Sequence, residues 1–266
     1  MKPTNFRNES LGIKGIYVVL INEINAFKAN KGKLLSMTMQ PILYFAFLVV
    51  GLNSTSGKIT YEGHSMPYIA YAVIGVLSLI MTTQMSQSLY RSTVDKQFGL
   101  MAIKFISGVK PLYYILGMNI FPFIGYLYQS AILFVLCIPF GILKFVKFFP
   151  LSILAGFFML IFWTSLGIFF STLFKNYQQR DIFTQLIFTP ITFTAPAFYL
   201  EAKAPLYIKV LANINPMTYQ LRALRTIAYG HFNILETCIA ILPSILALIF
   251  VTFALRKTKL TLQERG

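Results

Sequence analysis

Six stretches of this chain carry no Asp, Glu, Lys or Arg: Leu34 to Leu52, Pro67 to Leu89, Pro111 to Leu143, Phe148 to Phe174, Ile182 to Leu200 and Thr237 to Leu255. None is shorter than 19 residues. An α-helix rises about 1.5 Å per residue, so about 20 apolar residues cross the hydrocarbon core of a bilayer. A water-soluble domain has no reason to repeat that length six times. The pattern predicts an all-α membrane protein with six transmembrane helices.

Charged residues make up 12 % of the chain, against about 25 % in ordinary globular domains. The net charge of +15 would suggest nucleic acid in a soluble protein. Here the basic residues flank apolar spans, where they face anionic lipid head groups, so membrane lipid is the expected partner and nucleic acid is not. With the N-terminus inside, sixteen basic residues fall on cytoplasmic segments and seven on outer ones. That bias predicts a multi-pass plasma-membrane protein with both termini cytoplasmic. Residues 1–33 hold six basic and two acidic side chains and no early apolar core, so they do not form a cleavable signal peptide. The expected division is a cytoplasmic amphipathic segment over 1–33, a six-span transmembrane bundle over 34–257 and a cytoplasmic tail over 258–266. Cys137 and Cys238 lack metal-ligand spacing and are expected to pack or face lipid.

Three segments are not spans. Ile13 to Lys31 has Ile13, Ile16, Tyr17, Leu20, Ile24 and Phe27 at helical spacing, with Lys14 and Lys28 elsewhere. This suits an amphipathic helix in the cytoplasmic interface. Arg91 to Lys110 joins the second and third spans and mixes Asp95, Lys96 and Lys104 with Phe98, Met101, Ile103 and Phe105. It reads either as a short docking helix or as a cytoplasmic extension of two spans. Ala202 to Phe232 holds two apolar pieces, each too short to span, on either side of Asn215-Pro216. Proline removes a backbone donor and disfavours helical geometry before it, so a re-entrant outer hairpin broken there is expected. Arg222 and Arg225 share a helix face and would reach the outer head groups.

Some chemistry is missing. No GxxxxGK[ST] phosphate loop and no HExxH occurs, so no catalytic, metal or cofactor residue is assigned and ATP is not expected to bind this chain by that device. No span interior carries a carboxylate, although ion-coupled carriers commonly place ionisable groups there. Uncharged groups such as Gln40, Thr82, Gln84, Asn119, Gln129 and Gln185 remain, mostly as helix-packing hydrogen bonds.

This arrangement resembles the ATP-binding-cassette type-2 export permeases, the membrane subunits of bacterial exporters, on the multidrug and lipo-oligosaccharide side. Asn215-Pro216-Met217-Thr218-Tyr219, followed by Arg225, is similar to the family's signature before the last span. Glu23 resembles the acidic residue of its connecting helix. Asp95-Lys96-Gln97-Phe98-Gly99 resembles its coupling motif, with Gln97 where an acid is usual. Thr189-Pro190 and Ala197-Phe198-Tyr199 resemble its fifth-span pattern.

The resemblance implies a permease paired with a second copy, or in the alternative a heterodimer. A separate nucleotide-binding subunit would hold ATP and Mg on the cytoplasmic face, docking against Asp95 to Phe105. Glu23, Phe27 and Lys28 would belong to the connecting helix, and Asn215, Pro216, Tyr219, Arg222 and Arg225 to the outer hairpin. Thr82, Gln84, Gln185, Phe188, Thr189, Thr192 and Phe193 would line a pathway for an amphiphile. The readings that compete with an ATP-driven exporter are a secondary carrier or channel, and a non-transporting scaffold or sensor.

Overall fold

The computed structural model describes residues 10–28, 31–61, 63–174 and 176–258. Residues 1–9, 29–30 and 259–266, which include most of the expected tail, lie outside the described residues, as do Glu62 and Lys175. Helix α1 (Lys14–Lys28) is followed by a long helix made of α2 (Lys31–Tyr44), a π-helical turn (Phe45–Gly51) and α3 (Leu52–Ser56). A two-stranded antiparallel hairpin, β1 (Lys58–Tyr61) and β2 (His64–Pro67), leads into α4 (Tyr68–Gln97). Then come α5 (Leu100–Ile106), α6 (Pro111–Cys137) and α7 (Phe149–Leu173). The chain continues through α8 (Tyr177–Phe183), a π-helical turn (Thr184–Phe188), α9 (Thr189–Thr194), α10 (Leu206–Ile214), α11 (Pro216–Tyr229) and α12 (Ile234–Lys257).

Among the described residues five helices are long and apolar enough to cross a membrane: Gly32–Ser54, Tyr68–Gln97, Pro111–Cys137, Phe149–Leu173 and Ile234–Lys257. The chain is an all-α membrane protein. Five of the six charge-free stretches correspond to these helices, and Ile182–Leu200 falls outside the group. Its helix ends at Thr194, and Ala195 turns extended, with ψ of 139°. Pro196 explains the stop, because it clashes with helical backbone at Ala195 and donates no hydrogen bond. The third stretch also ends early, at Cys137 rather than Leu143, where Pro139 cannot extend the helix.

Helix α4 is the central element. In its most apolar window 83 % of residues are buried inside the protein, against 22 % for Gly32–Ser54. It packs on α7, α6 and α11, and its Tyr71, Ile74, Leu77 and Ile80 join Trp163, Phe149 and Tyr126 in the main core. Some polar groups inside the bundle find partners on other helices. Pro41 lies within α2 and leaves the Met37 carbonyl without its helical donor. Gln129 Nε2 donates to that carbonyl at 3.1 Å and to Gln40 at 3.0 Å, while accepting from Gln84 Nε2 at 2.9 Å. One glutamine thus joins α2, α4 and α6 and supplies the bond that proline removed.

Candidate functional site

The end of the bundle that carries α1 and α5 is built on charge pairs that sequence spacing does not reveal. On α1, Gly15, Val19 and Glu23 face the protein, while Tyr17, Ile21 and Ile24, and Ile13 just before the helix, are exposed. The expected apolar stripe is therefore split, with Ile13, Tyr17 and Ile24 exposed and Ile16, Leu20 and Phe27 half-buried. Glu23 accepts two bonds from Arg91 on α4, at 2.8 and 2.9 Å, and is itself 2 % exposed. Such bidentate guanidinium–carboxylate pairs fix orientation as well as charge. Phe27 packs on Phe121, with ring centroids 4.7 Å apart, and Lys28 is exposed.

The segment from Asp95 to Ile106, expected as one docking helix, is two. Asp95, Lys96 and Gln97 complete α4, and the chain breaks at Phe98-Gly99, where Gly99 has φ of 68°. A left-handed residue cannot continue a helix and suits glycine. Asp95 is fully buried, paired with Lys104 of α5 and accepting from Tyr114 Oη at 3.0 Å. Lys96 reaches across to the C-terminal end of α7, donating to the carbonyls of Thr172 at 2.5 Å and Phe174 at 2.8 Å. A cation there satisfies orphan carbonyls and the negative end of the helix dipole. Met101 and Phe105 are buried against α1 and α6, whereas Phe98, Leu100 and Ile103 are 59 %, 41 % and 49 % exposed. The outward face is thus made by Phe98, Leu100 and Ile103; the Asp95–Lys104 pair holds α5 to α4 from behind, and Lys96 ties the end of α4 to α7.

At the other end, the break at Asn215-Pro216 falls where the sequence predicts it. The two helices it separates differ. Helix α10 exposes Leu206, Tyr207, Val210 and Ile214, whereas α11 buries Met217, Gln220, Leu221 and Ala223 to Ala228. Gln220 accepts from Trp163 Nε1 at 2.7 Å and the Leu224 carbonyl accepts from Ser152 at 3.2 Å, pinning α11 to α7. Asn215 Oδ1 caps α11 by accepting from Met217 N at 2.9 Å, as N-cap asparagines do. Its Nδ2 donates to the Ile191 carbonyl at 2.5 Å and to Thr194 at 3.0 Å, joining the break to the end of α9. Tyr219 Oη donates to the Asn213 carbonyl at 2.7 Å.

The irregular segment after α9 lies inside this arrangement. Each carbonyl from Pro196 to Tyr199 accepts a side-chain bond. Tyr71 Oη donates to Pro196 at 3.0 Å and Tyr199 at 2.8 Å, Tyr68 Oη to Phe198 at 2.7 Å, and Arg225 to Ala197 at 2.9 Å. Non-helical backbone at membrane depth survives only where protein or water satisfies it, and three side chains do so here. Arg225 corrects an expectation. It turns inward, 1 % exposed, with its guanidinium 3.5 Å from the Tyr71 ring centre, because the Ala197 carbonyl and the ring face offer it partners that lipid cannot. Arg222 donates to both Glu201 oxygens at 2.6 Å. Burial pulls its pKa down, but the adjacent carboxylate outweighs that and holds it above its ordinary value.

The expected pathway residues separate into two groups. Thr82 and Gln84 are sealed inside the bundle, at 1 % and 3 % exposure. Phe188 is buried beside Trp163, and Thr192 is half-buried. Gln185, Thr189 and Phe193 are exposed on the outer face of α8–α9 with Ile182 and Leu186. Sequence reading missed Tyr68, Tyr71 and Arg91. Two tyrosines at the start of a span look like ordinary interfacial anchors, and nothing in the spacing links Arg91 to Glu23.

A bundle centred on α4, with an apolar knob at one end and a clasped, broken helix at the other, defines a polytopic α-helical membrane protein. Residues 14–229 match the family described as ABC-2 type transporter, and the chain belongs to it. No curated protein matches the chain.

Proposed function

We propose that this chain is the permease subunit of an ATP-driven exporter for an amphiphilic substrate, working as a dimer with a separate nucleotide-binding subunit on its cytoplasmic face. ATP and Mg belong to that partner, and this chain supplies the pathway and the transmission. The observation that carries the reading is the row Phe98, Leu100 and Ile103. It is an exposed apolar surface beyond the central span, where water would otherwise meet it. Apolar patches of this kind mark protein contacts. Its rigid backing by buried charge pairs suits a part that passes force to α4 and α7. The exposed row Ile182, Leu186 and Phe193 supports pairing with a second permease along α8–α9, with Gln185 and Thr189 turned to the shared space. The Lys/Arg bias supports cytoplasmic termini, and the exposed apolar side of α10 supports an outer hairpin that dips into the membrane.

The test is reconstitution with the candidate ATPase. The pair in proteoliposomes should hydrolyse ATP and move a fluorescent amphiphile, and the permease alone should hydrolyse none. Saturable hydrolysis by this chain by itself, or transport that persists without any nucleotide-binding subunit, defeats the proposal.

A further inference from the structure

We propose that the outer end of this chain binds an anionic amphiphile, its charged head beside Arg225 and its tail in an adjoining apolar cavity. Two cavities meet there. The smaller, about 300 Å³, is lined by Lys203, Arg222, Arg225, Glu201, Tyr61 and Tyr71. The larger, about 780 Å³, is walled by Ile59, Tyr68, Phe198, Pro205 and Ile208, with Lys58 at its edge. Thr60, Leu200 and Lys203 line both. The sizes fall in the range of small-molecule sites, roughly 300–1,000 Å³.

The charge is unbalanced. Glu201 is the carboxylate of the small cavity, and both its oxygens are taken by Arg222. Arg225 has no carboxylate partner among the described residues. Its Nε has no hydrogen-bond partner there either, although the side chain is 1 % exposed. A buried cation held by a carbonyl and the rings of Tyr71 and Tyr61, with no carboxylate partner among the described residues, is incompletely compensated, and an oxyanion is the ligand that would complete it. Lys203 and Lys58, both exposed and without an ion pair among the described residues, add positive charge at the mouth. A phosphate or carboxylate head fits the small cavity and an alkyl chain fits the large one. The inference concerns binding at the outer face and does not depend on the direction of transport or on an ATPase.

The experiment uses the full chain in phosphatidylcholine nanodiscs, titrated with decyl phosphate by calorimetry. Wild type should bind it saturably. Lys203→Gln should weaken binding about tenfold, the effect of losing one charge-assisted hydrogen bond, and Lys58→Gln with Lys203→Gln further still. Both lysines are exposed, so these variants keep the fold where Arg225→Gln, which breaks the clasp, could fail to form it. Neutral decyl maltoside and inorganic phosphate, each at the concentration of decyl phosphate, should not displace it. Equal affinity in wild type and the double lysine variant overturns the site. Displacement by decyl maltoside overturns the anionic head, and displacement by phosphate overturns the amphiphile.

Discussion

Replacing Gly75 with alanine sets two physical effects against each other. Gly75 sits in the middle of a helical run, and helix propensity alone favours alanine there by about 1 kcal/mol. Its neighbour is the irregular segment after α9. A Cβ on Gly75 would lie 2.9 Å from the Ala197 carbonyl carbon and 3.3 Å from its Cα, and nearer still to the oxygen. The obstacle is backbone, which cannot rotate aside as a side chain can. Overpacking of this kind costs about 1–3 kcal/mol. If the segment retreats instead, the bonds from Tyr68, Tyr71 and Arg225 lengthen, and each buried carbonyl left bare costs about 1–3 kcal/mol more. The clash wins, and Gly75→Ala should destabilise the protein by about 2–3 kcal/mol. Unfolding in mixed dodecyl maltoside and SDS micelles measures it. Gly51→Ala is the control, since the nearest atom to a Cβ there is the Ala46 oxygen at 3.6 Å, and it should be neutral or stabilising by up to about 1 kcal/mol. A Gly75→Ala protein as stable as wild type would refute the close approach of α4 to the clasped segment.

Other outcomes follow from the same geometry. Glu23→Ala should destabilise by about 3 kcal/mol by leaving Arg91 half-buried and unpaired, while Glu23→Ala with Arg91→Met should recover most of the loss; a purely additive double mutant in the same unfolding assay counts against the pair. Phe98→Asp with Ile103→Asp should abolish co-purification of the ATPase and leave the permease's own melting curve unchanged, whereas Met101→Asp should lower the melting temperature itself; retained co-purification with the first pair would show that the knob is not the docking surface. In a Cys238→Ser background, with buried Cys137 silent, single cysteines at Lys203 and Asn233 should both react with an impermeant maleimide from outside the cell. Labelling of one of them only after permeabilisation would make Ala202 to Phe232 a true span.

The spans were legible because charge is costly in hydrocarbon, so a count of uncharged residues locates them. The break at Asn215-Pro216 was legible for a similarly local reason. Pro196 carries the same signal one helix earlier, yet it sits inside an uncharged run, and the run masked the stop. Pairings across the fold left no local trace. Asp95 and Lys104 are nine positions apart with a left-handed glycine between them, and only the reversal at Gly99 brings them together. Arg225 illustrates the limit best. Its place three residues after Arg222 fixes the shared helix face but not whether that face meets lipid or the rings of Tyr71 on α4 and Tyr61 on β1.

The segment between Ala195 and Leu200 is secured largely by donors that belong to other helices. Releasing it therefore unwinds no helix; it needs only a few hydroxyls and one guanidinium to let go. Where water can enter, each freed carbonyl takes a water molecule in place of a tyrosine at little enthalpic cost. Against lipid the same carbonyl would be left bare, at several kcal/mol per group. The clasp consequently has a direction. Opening toward an aqueous mouth costs less than opening sideways into hydrocarbon.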